Sequence, residues 1–408
     1  MAYRELFAPR GAKGFTAAVL LARFPVGMFS LAATLLVTSL HRSYSLAGLG
    51  GATVLVTIAV VGPWQARLVD RHGQTRVSVP AVLLATLGGL GLVLTLRAHA
   101  PTWLYLACAA LSGVGPNTGS LARARWSFLH RGDEAVLHTA YAYEGVVDEL
   151  CYVLGPIAAM ALATSFSPLT AYLTASLLSL VGILVLATQR RTEPPPAASP
   201  DRSTRTRPGG ALRAPGMPAL VPMLTAAGCV FGTMEITTVG FAQAHGHKAE
   251  ASLVLAAYAL GSGLSGIAFG LWRPRGSAVV RLRWALLAMT VTLAPLPLDR
   301  NLWQVALNLF VAGFATAPTM STSMGLVAEL VPENRLTEGF TLTTTGLLVG
   351  VSAGTAVGGW AVDQLAPGAG YHVPAAAALV ALVLSFRLRI PANRPPVGQT
   401  AGESVCVQ

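Results

Sequence analysis

Gly62-Pro63-Trp64-Gln65-Ala66-Arg67-Leu68-Val69-Asp70-Arg71-His72-Gly73-Gln74-Thr75-Arg76 gathers five ionisable groups between two runs that carry almost none, residues 45–66 before it and 78–97 after it. A hydrocarbon core about 30 Å thick takes roughly 20 apolar residues of helix to cross, and each run has that length. Gly73 permits a tight turn. Asp70 can cap the next element or pair with a cation, while Arg71 and Arg76 stay at head-group level. The stretch therefore reads as a short basic turn between two membrane-crossing helices.

Working outward, comparable apolar runs fall at 15–39, 45–66, 78–97, 101–122, 138–163 and 167–188, then at 218–243, 249–271, 282–298, 302–325, 337–361 and 371–388. That makes two sets of six. The first run follows Arg4, Arg10 and Lys13 but is long and lacks a clear small-residue cleavage site, so a retained first helix is expected. Composition agrees. Over 408 residues, 53% are hydrophobic and only 11% charged, where a soluble domain needs about 25% to solvate its surface. The reading is an all-α membrane protein of twelve transmembrane helices in two six-helix repeats. An N-terminal bundle spans 1–188, a cytoplasmic linker 189–217, and a C-terminal bundle with its tail 218–408. The linker, with Pro194, Pro195, Pro196, Arg190, Arg191, Arg202, Arg205, Arg207 and Arg213, offers little apolar surface to bury and is given no secondary structure.

The net charge of +11 does not call for nucleic acid. With the N-terminus placed inside, 23 of the 28 basic residues fall in connections or tails on the cytoplasmic side; Arg42, Arg97, Lys248 and Arg300 fall outside it, and Arg23 lies within a helix. The positive-inside bias explains that asymmetry and puts both termini in the cytoplasm. The cysteines Cys108, Cys151, Cys229 and Cys406 form no CxxC pair, so neither a disulfide framework nor a metal site is indicated. The halves echo one another: Gly113 with Pro116 recurs as Gly313 with Pro318, Gly155 as Gly354, and the turn at Arg71 to Gly73 as Arg273, Pro274, Arg275 and Gly276. Parallel repeats of this kind place a substrate site between the halves near the midplane.

The stretch Gly62 to Arg76 resembles the loop signature of the major facilitator superfamily, in which a small residue, Leu, Asp, Arg and Gly recur between the second and third helices; it departs at Ala66, Gln74 and Thr75. The resemblance implies the fold and marks Asp70, Arg71, Gly73 and Arg76 as a conformational gating loop. Gly145 and Gly155-Pro156-Ile157-Ala158-Ala159 resemble the Gly-Pro signature of the antiporter branch, with Gly155 and Pro156 as its helix-kinking pair, although Ala109 stands where exporters carry an arginine.

Ionisable groups inside a membrane need a partner, a wet cavity or a neutral form. Arg23 lies in the first run, Glu144, Asp148 and Glu149 in the fifth, and Glu235 in the seventh. Glu144 and Asp148, four apart, share a helix face with Tyr152 and Gly155, while Glu149 is turned about 100° away. One arginine cannot neutralise four acids, so some of them are expected to face water and one to exchange a proton near physiological pH, as proton coupling requires. Arg123, Arg125, Glu329 and Glu338 read as snorkelling or gate residues at helix ends. Asn117, Asn308 and Thr343-Thr344-Thr345 are candidate cavity-lining positions.

These features favour a secondary transporter that moves a small organic molecule by alternating access across a bacterial cytoplasmic membrane. Proton-coupled export of a drug-like compound or secondary metabolite is preferred, with the proton and the lipid bilayer as partners and a monomer as the expected state. Uptake of a sugar or other metabolite is the alternative on the same fold. An integral-membrane enzyme would need a compact catalytic constellation, and the eight histidines are scattered. No Walker motif, dinucleotide fingerprint or metal-ligand cluster is present, so no cofactor is expected.

Overall fold

A computed structural model describes residues 2–41, 44–196, 210–246, 250–272, 276–364 and 368–388, and every regular element among them is a helix. After the short α1 (Ala2–Leu6), the first half holds α2 (Ala12–His41), α3 (Tyr44–His72), α4 (Gln74–Arg97), α5 (Thr102–Ser112), α6 (Thr118–Leu129), α7 (Glu134–Ser165) and α8 (Pro168–Thr188). The second half holds α9 (Met217–Ala244), α10 (Ala251–Leu271), α11 (Ala278–Leu293), α12 (Leu302–Leu330), α13 (Leu336–Gln364) and α14 (His372–Ser385). With α5 and α6 forming one broken span, these are the twelve expected crossings. Their outward faces are apolar: Val60, Leu94, Leu253 and Trp284 are each at least 65% exposed, a surface that only lipid can cover favourably. The protein is a multi-pass membrane protein.

Each half is locked by small residues where its first and fifth spans cross. A Cβ on Gly27 of α2 would run into the Cys151 carbonyl of α7, and one on Gly155 into the backbone of Gly27. In the second half, Gly228 and Gly232 of α9 lie as tightly on Leu347 and Val351 of α13, and Gly354 lies on Cys229. Without Cβ atoms the backbones approach closely, and dispersion replaces the hydrophobic drive that lipid does not supply. The echo of Gly155 in Gly354 thus has one structural meaning in both halves. Gly113 and Gly313 likewise mark where the fourth span of each half crosses the second, against Val54 and Thr57 of α3 and against Tyr258 and Ser262 of α10. The paired turns match as well, since Gly73 has φ 94° and Gly276 φ 92°, a left-handed conformation that favours glycine. Arg273, Pro274 and Arg275, like Arg42, Lys248, Arg202, Arg205, Arg207 and Cys406, lie outside the described residues.

The fourth span differs from the sequence expectation, which ended it at 122. α5 stops at Ser112, Pro116 lacks a donor, and Asn117 restarts the chain as α6 by accepting the Ser120 N–H at 2.9 Å. The interruption frees the Val114 carbonyl, which accepts from the Gln65 side chain of α3 at 2.8 Å. α6 then continues to Leu129, and Arg123 and Arg125 are buried among the helices at 6% and 1% exposure instead of snorkelling. The linker ends also differ, because they form short 3-10 turns at Arg190–Thr192 and Ala211–Arg213 that pack onto the bundles.

Candidate functional site

Two arginines and two carboxylates meet inside the first half. Arg23 of α2 pairs with Glu144 of α7 at 2.7 Å and approaches Asp148 at 3.4 Å. Arg123 of α6 donates to the other oxygen of Asp148 at 2.7 Å, and the Trp126 indole, on the same helix, donates to Glu144 at 2.8 Å. The sequence expectation left a surplus of acids around a single arginine; Arg123 is the second cation, and the four charges cancel. Gly119 makes the approach possible, since a Cβ there would sit 2.8 Å from both Arg123 Nη1 and Arg23 Nη2. The side chains of Arg23 and Glu144 are 4% and 2% exposed, whereas that of Asp148 is 35% exposed. Asp148 is therefore where the network opens outward. The turn of α6 that delivers Arg123 and Trp126 exists only because the span breaks at Gly113 to Asn117.

Glu149 leaves this cluster. Thr139, Ala142 and Val146 of α7 form a stripe against α10, with Thr139 donating to the Gly270 carbonyl at 2.9 Å and Val146 and Ala142 facing Gly266 and Gly270. Glu149 is the next position of that stripe and lies within electrostatic reach of Tyr258. Glu235 is exposed on α9, one turn past Phe231, whose ring centroid is 6.5 Å from that of Tyr258. With Gly232 seated on α13, Glu235 is flanked by α10 and α13, two of the second-half helices that meet the first half. Among the described residues neither Glu149 nor Glu235 has an ion-pair partner.

Asn117 and Asn308 have local duties. Asn117 caps α6, and the Asn308 amide donates to both oxygens of Asp299 at 2.8 and 2.9 Å, fixing the turn before α12. Asp299 lies outside the spans; partial burial raises its carboxyl above the usual carboxylate range, against the pull of the Asn308 amide. Of the threonine run, Thr343 and Thr344 donate to the Phe340 carbonyl, and Thr345 faces Gly62 of α3.

At the end of the bundle that carries the basic turns, the halves are latched together. Asp70 accepts the backbone N–H groups of Thr337 and Glu338, at 3.1 and 2.9 Å, at the start of α13. It caps a helix, but one in the opposite half instead of the next element. Arg67 pairs with Glu338 at 2.6 Å, and the same carboxylate oxygen accepts the Ala211 N–H from the linker at 2.9 Å. Arg131 reaches Glu333 at 2.7 Å on the surface. Arg71 and Arg76 are exposed beside this latch, and Gly73 makes the turn. The other linker end is held by Arg125, whose guanidinium donates to Gln74, to the Gln189 and Leu186 carbonyls and to Thr192, while Glu193 caps α4 through the Thr75 N–H at 2.8 Å.

Comparison with known proteins accords with this architecture. The chain matches no curated protein sequence. Among solved structures it is similar to a bacterial homologue of the iron transporter ferroportin in its outward-facing state, at 15% identity and TM-score 0.73, covering 92% of this chain and 98% of that one. It is similar to the human organic anion transporter MFSD10 (TETRAN), at 16% identity and TM-score 0.69, covering 92% and 100%. It is also similar to the transporter FucP in the outward conformation, at 13% identity and TM-score 0.67, covering 91% and 98%. These likenesses carry the fold. The family model described as Major Facilitator Superfamily matches residues 15–298 and 236–407, and with nearly the whole chain so covered, the protein belongs to that superfamily.

Proposed function

We propose that this chain is a proton-coupled transporter of a small organic molecule, working by alternating access, with export as its direction. The observation that carries the reading is the neutral four-charge network of Arg23, Glu144, Asp148 and Arg123, in which Asp148 alone is partly exposed. A proton added at Asp148 weakens its hold on two arginines that reside on different helices, α2 and α6. Local protonation is thereby converted into a change in packing, which is what coupling needs. Access alternates when the latch of Asp70, Arg67 and Glu338 opens and the opposite end closes. Export rests on the resemblance of Gly155-Pro156 to the antiporter signature, and the distribution of Lys and Arg supports both termini on the cytoplasmic side.

Asp148→Asn tests the reading, because the amide holds the volume of the acid without exchanging a proton. In proteoliposomes, downhill exchange should survive while transport driven by an imposed pH gradient is lost. An unchanged gradient-driven rate, normalised to folded protein, would remove Asp148 from coupling.

A further inference from the structure

The formal charges in the middle of the membrane do not balance, and the excess lies in one place. Arg23 and Arg123 are cancelled by Glu144 and Asp148. Glu149, on the stripe of α7 that packs against α10, and Glu235, exposed on α9 one turn past Phe231, are left over, one in each half, and among the described residues no cation is paired with either. Aromatic rings accompany them: Tyr152, 54% exposed, follows Asp148 by one helical turn, and Phe231, one turn before Glu235, lies with its ring centroid 6.5 Å from that of Tyr258 on α10, the helix that Glu149's stripe faces. One turn further toward the latch, the Ser321 hydroxyl of α12 is 4% exposed, faces Gly145 of α7 and has no hydrogen-bond partner among the described residues.

We propose that the transported molecule is an aromatic or amphipathic organic cation, bound between the halves with its positive charge shared by Glu149 and Glu235 and its apolar body against Tyr152, Phe231 and Tyr258. Ring faces attract cations, and two carboxylates in a partly desolvated cleft gain most from a ligand that neutralises them. The Ser321 oxygen is an acceptor for an N–H or O–H group at the inner end of such a ligand. An anion would meet two unscreened carboxylates here, since both arginines are buried and already paired. This proposal rests on the transporter reading for its site but not on proton coupling, because it concerns binding alone.

The test is equilibrium binding to the full-length protein in lipid nanodiscs, with no gradient imposed, of two probes alike in shape and opposite in sign, tetraphenylphosphonium and tetraphenylborate. Tetraphenylphosphonium should bind more tightly than tetraphenylborate, measured against empty nanodiscs. Each of Glu149→Gln and Glu235→Gln should weaken the phosphonium roughly tenfold, with Glu149→Asp and Glu235→Asp recovering part of the loss. Equal binding of the two ions, a preference for the borate, or unaltered phosphonium binding by both folded Gln variants would overturn the proposal. The comparison of the two ions on the unmodified protein decides the matter even if a variant does not fold.

Discussion

A single missing methyl group shapes the charge network. Gly119 leaves room for two guanidinium groups to lie side by side, and a Cβ there would meet both at 2.8 Å. Gly119→Ala should therefore displace one arginine from its acid at a cost of about 1–3 kcal/mol, read as a lowered unfolding temperature in detergent. Arg123→Ala should cost about 2 kcal/mol, less than the 3–5 kcal/mol expected when a fully buried pair is broken, because Asp148 keeps a third of its side chain in contact with the cleft. Arg123→Lys should recover part of that loss in the same measurement, since the charge returns without the planar fork. The acids were legible in the sequence, and Arg23 with them, because charge inside an apolar run is conspicuous. Arg123 was not, since a charge just past an apolar run looks like a head-group residue. The signal that places it correctly is Pro116 followed by Asn117, a helix start that puts Arg123 nearly two turns into a new helix.

Helices pack in each half through crossings that tolerate no side chain. Gly155→Val would drive a branched group into the Gly27 backbone, and Gly354→Val would do the same at Cys229. Both should sharply reduce the yield of monodisperse protein, whereas Gly263→Ala, with no atom within 4 Å of the new Cβ, should be silent. Here the sequence was informative about the repeat, because glycine echoes at matching places pointed to paired six-helix units, and in the structure those glycines lie at helix crossings. What it missed was the fourth span, where hydropathy ends at 122 while the helix runs on to Leu129. Polar ladders within a span do not register as apolar length. Gln74, Arg125 and Thr192 are satisfied by one another and by backbone carbonyls, so they are buried at the cytoplasmic end of the bundle without water.

Across the whole molecule, the named contacts between halves gather at one end, from the Asp70 latch up to Glu149 and Tyr258. Asp70→Asn removes the charge that faces the start of α13, an interaction of about 1 kcal/mol, so the population open at that end should rise about fivefold. Double electron–electron resonance between labels on α3 and α13 should show the longer distance gaining weight, and Glu338→Gln should act in the same direction by releasing both Arg67 and the linker. Nothing in the residues from 189 to 217 announced that the linker ends dock on opposite halves, because their partners, Arg125 and Glu338, are distant in the chain.

The indole of Trp126 turns the charge network into something that can be watched. The protein has seven tryptophans. Trp64, Trp103, Trp272, Trp284, Trp303 and Trp360 are each more than half exposed, on faces that lipid or solvent covers, while Trp126 is fully buried with its N–H on Glu144. A chain carrying Trp126 alone, the other six replaced by Phe, would emit from beside the paired charges. If protons or ligands rearrange Arg23, Glu144 and Asp148, its emission maximum should shift with that event, giving an optical record of each step of the transport cycle as it happens.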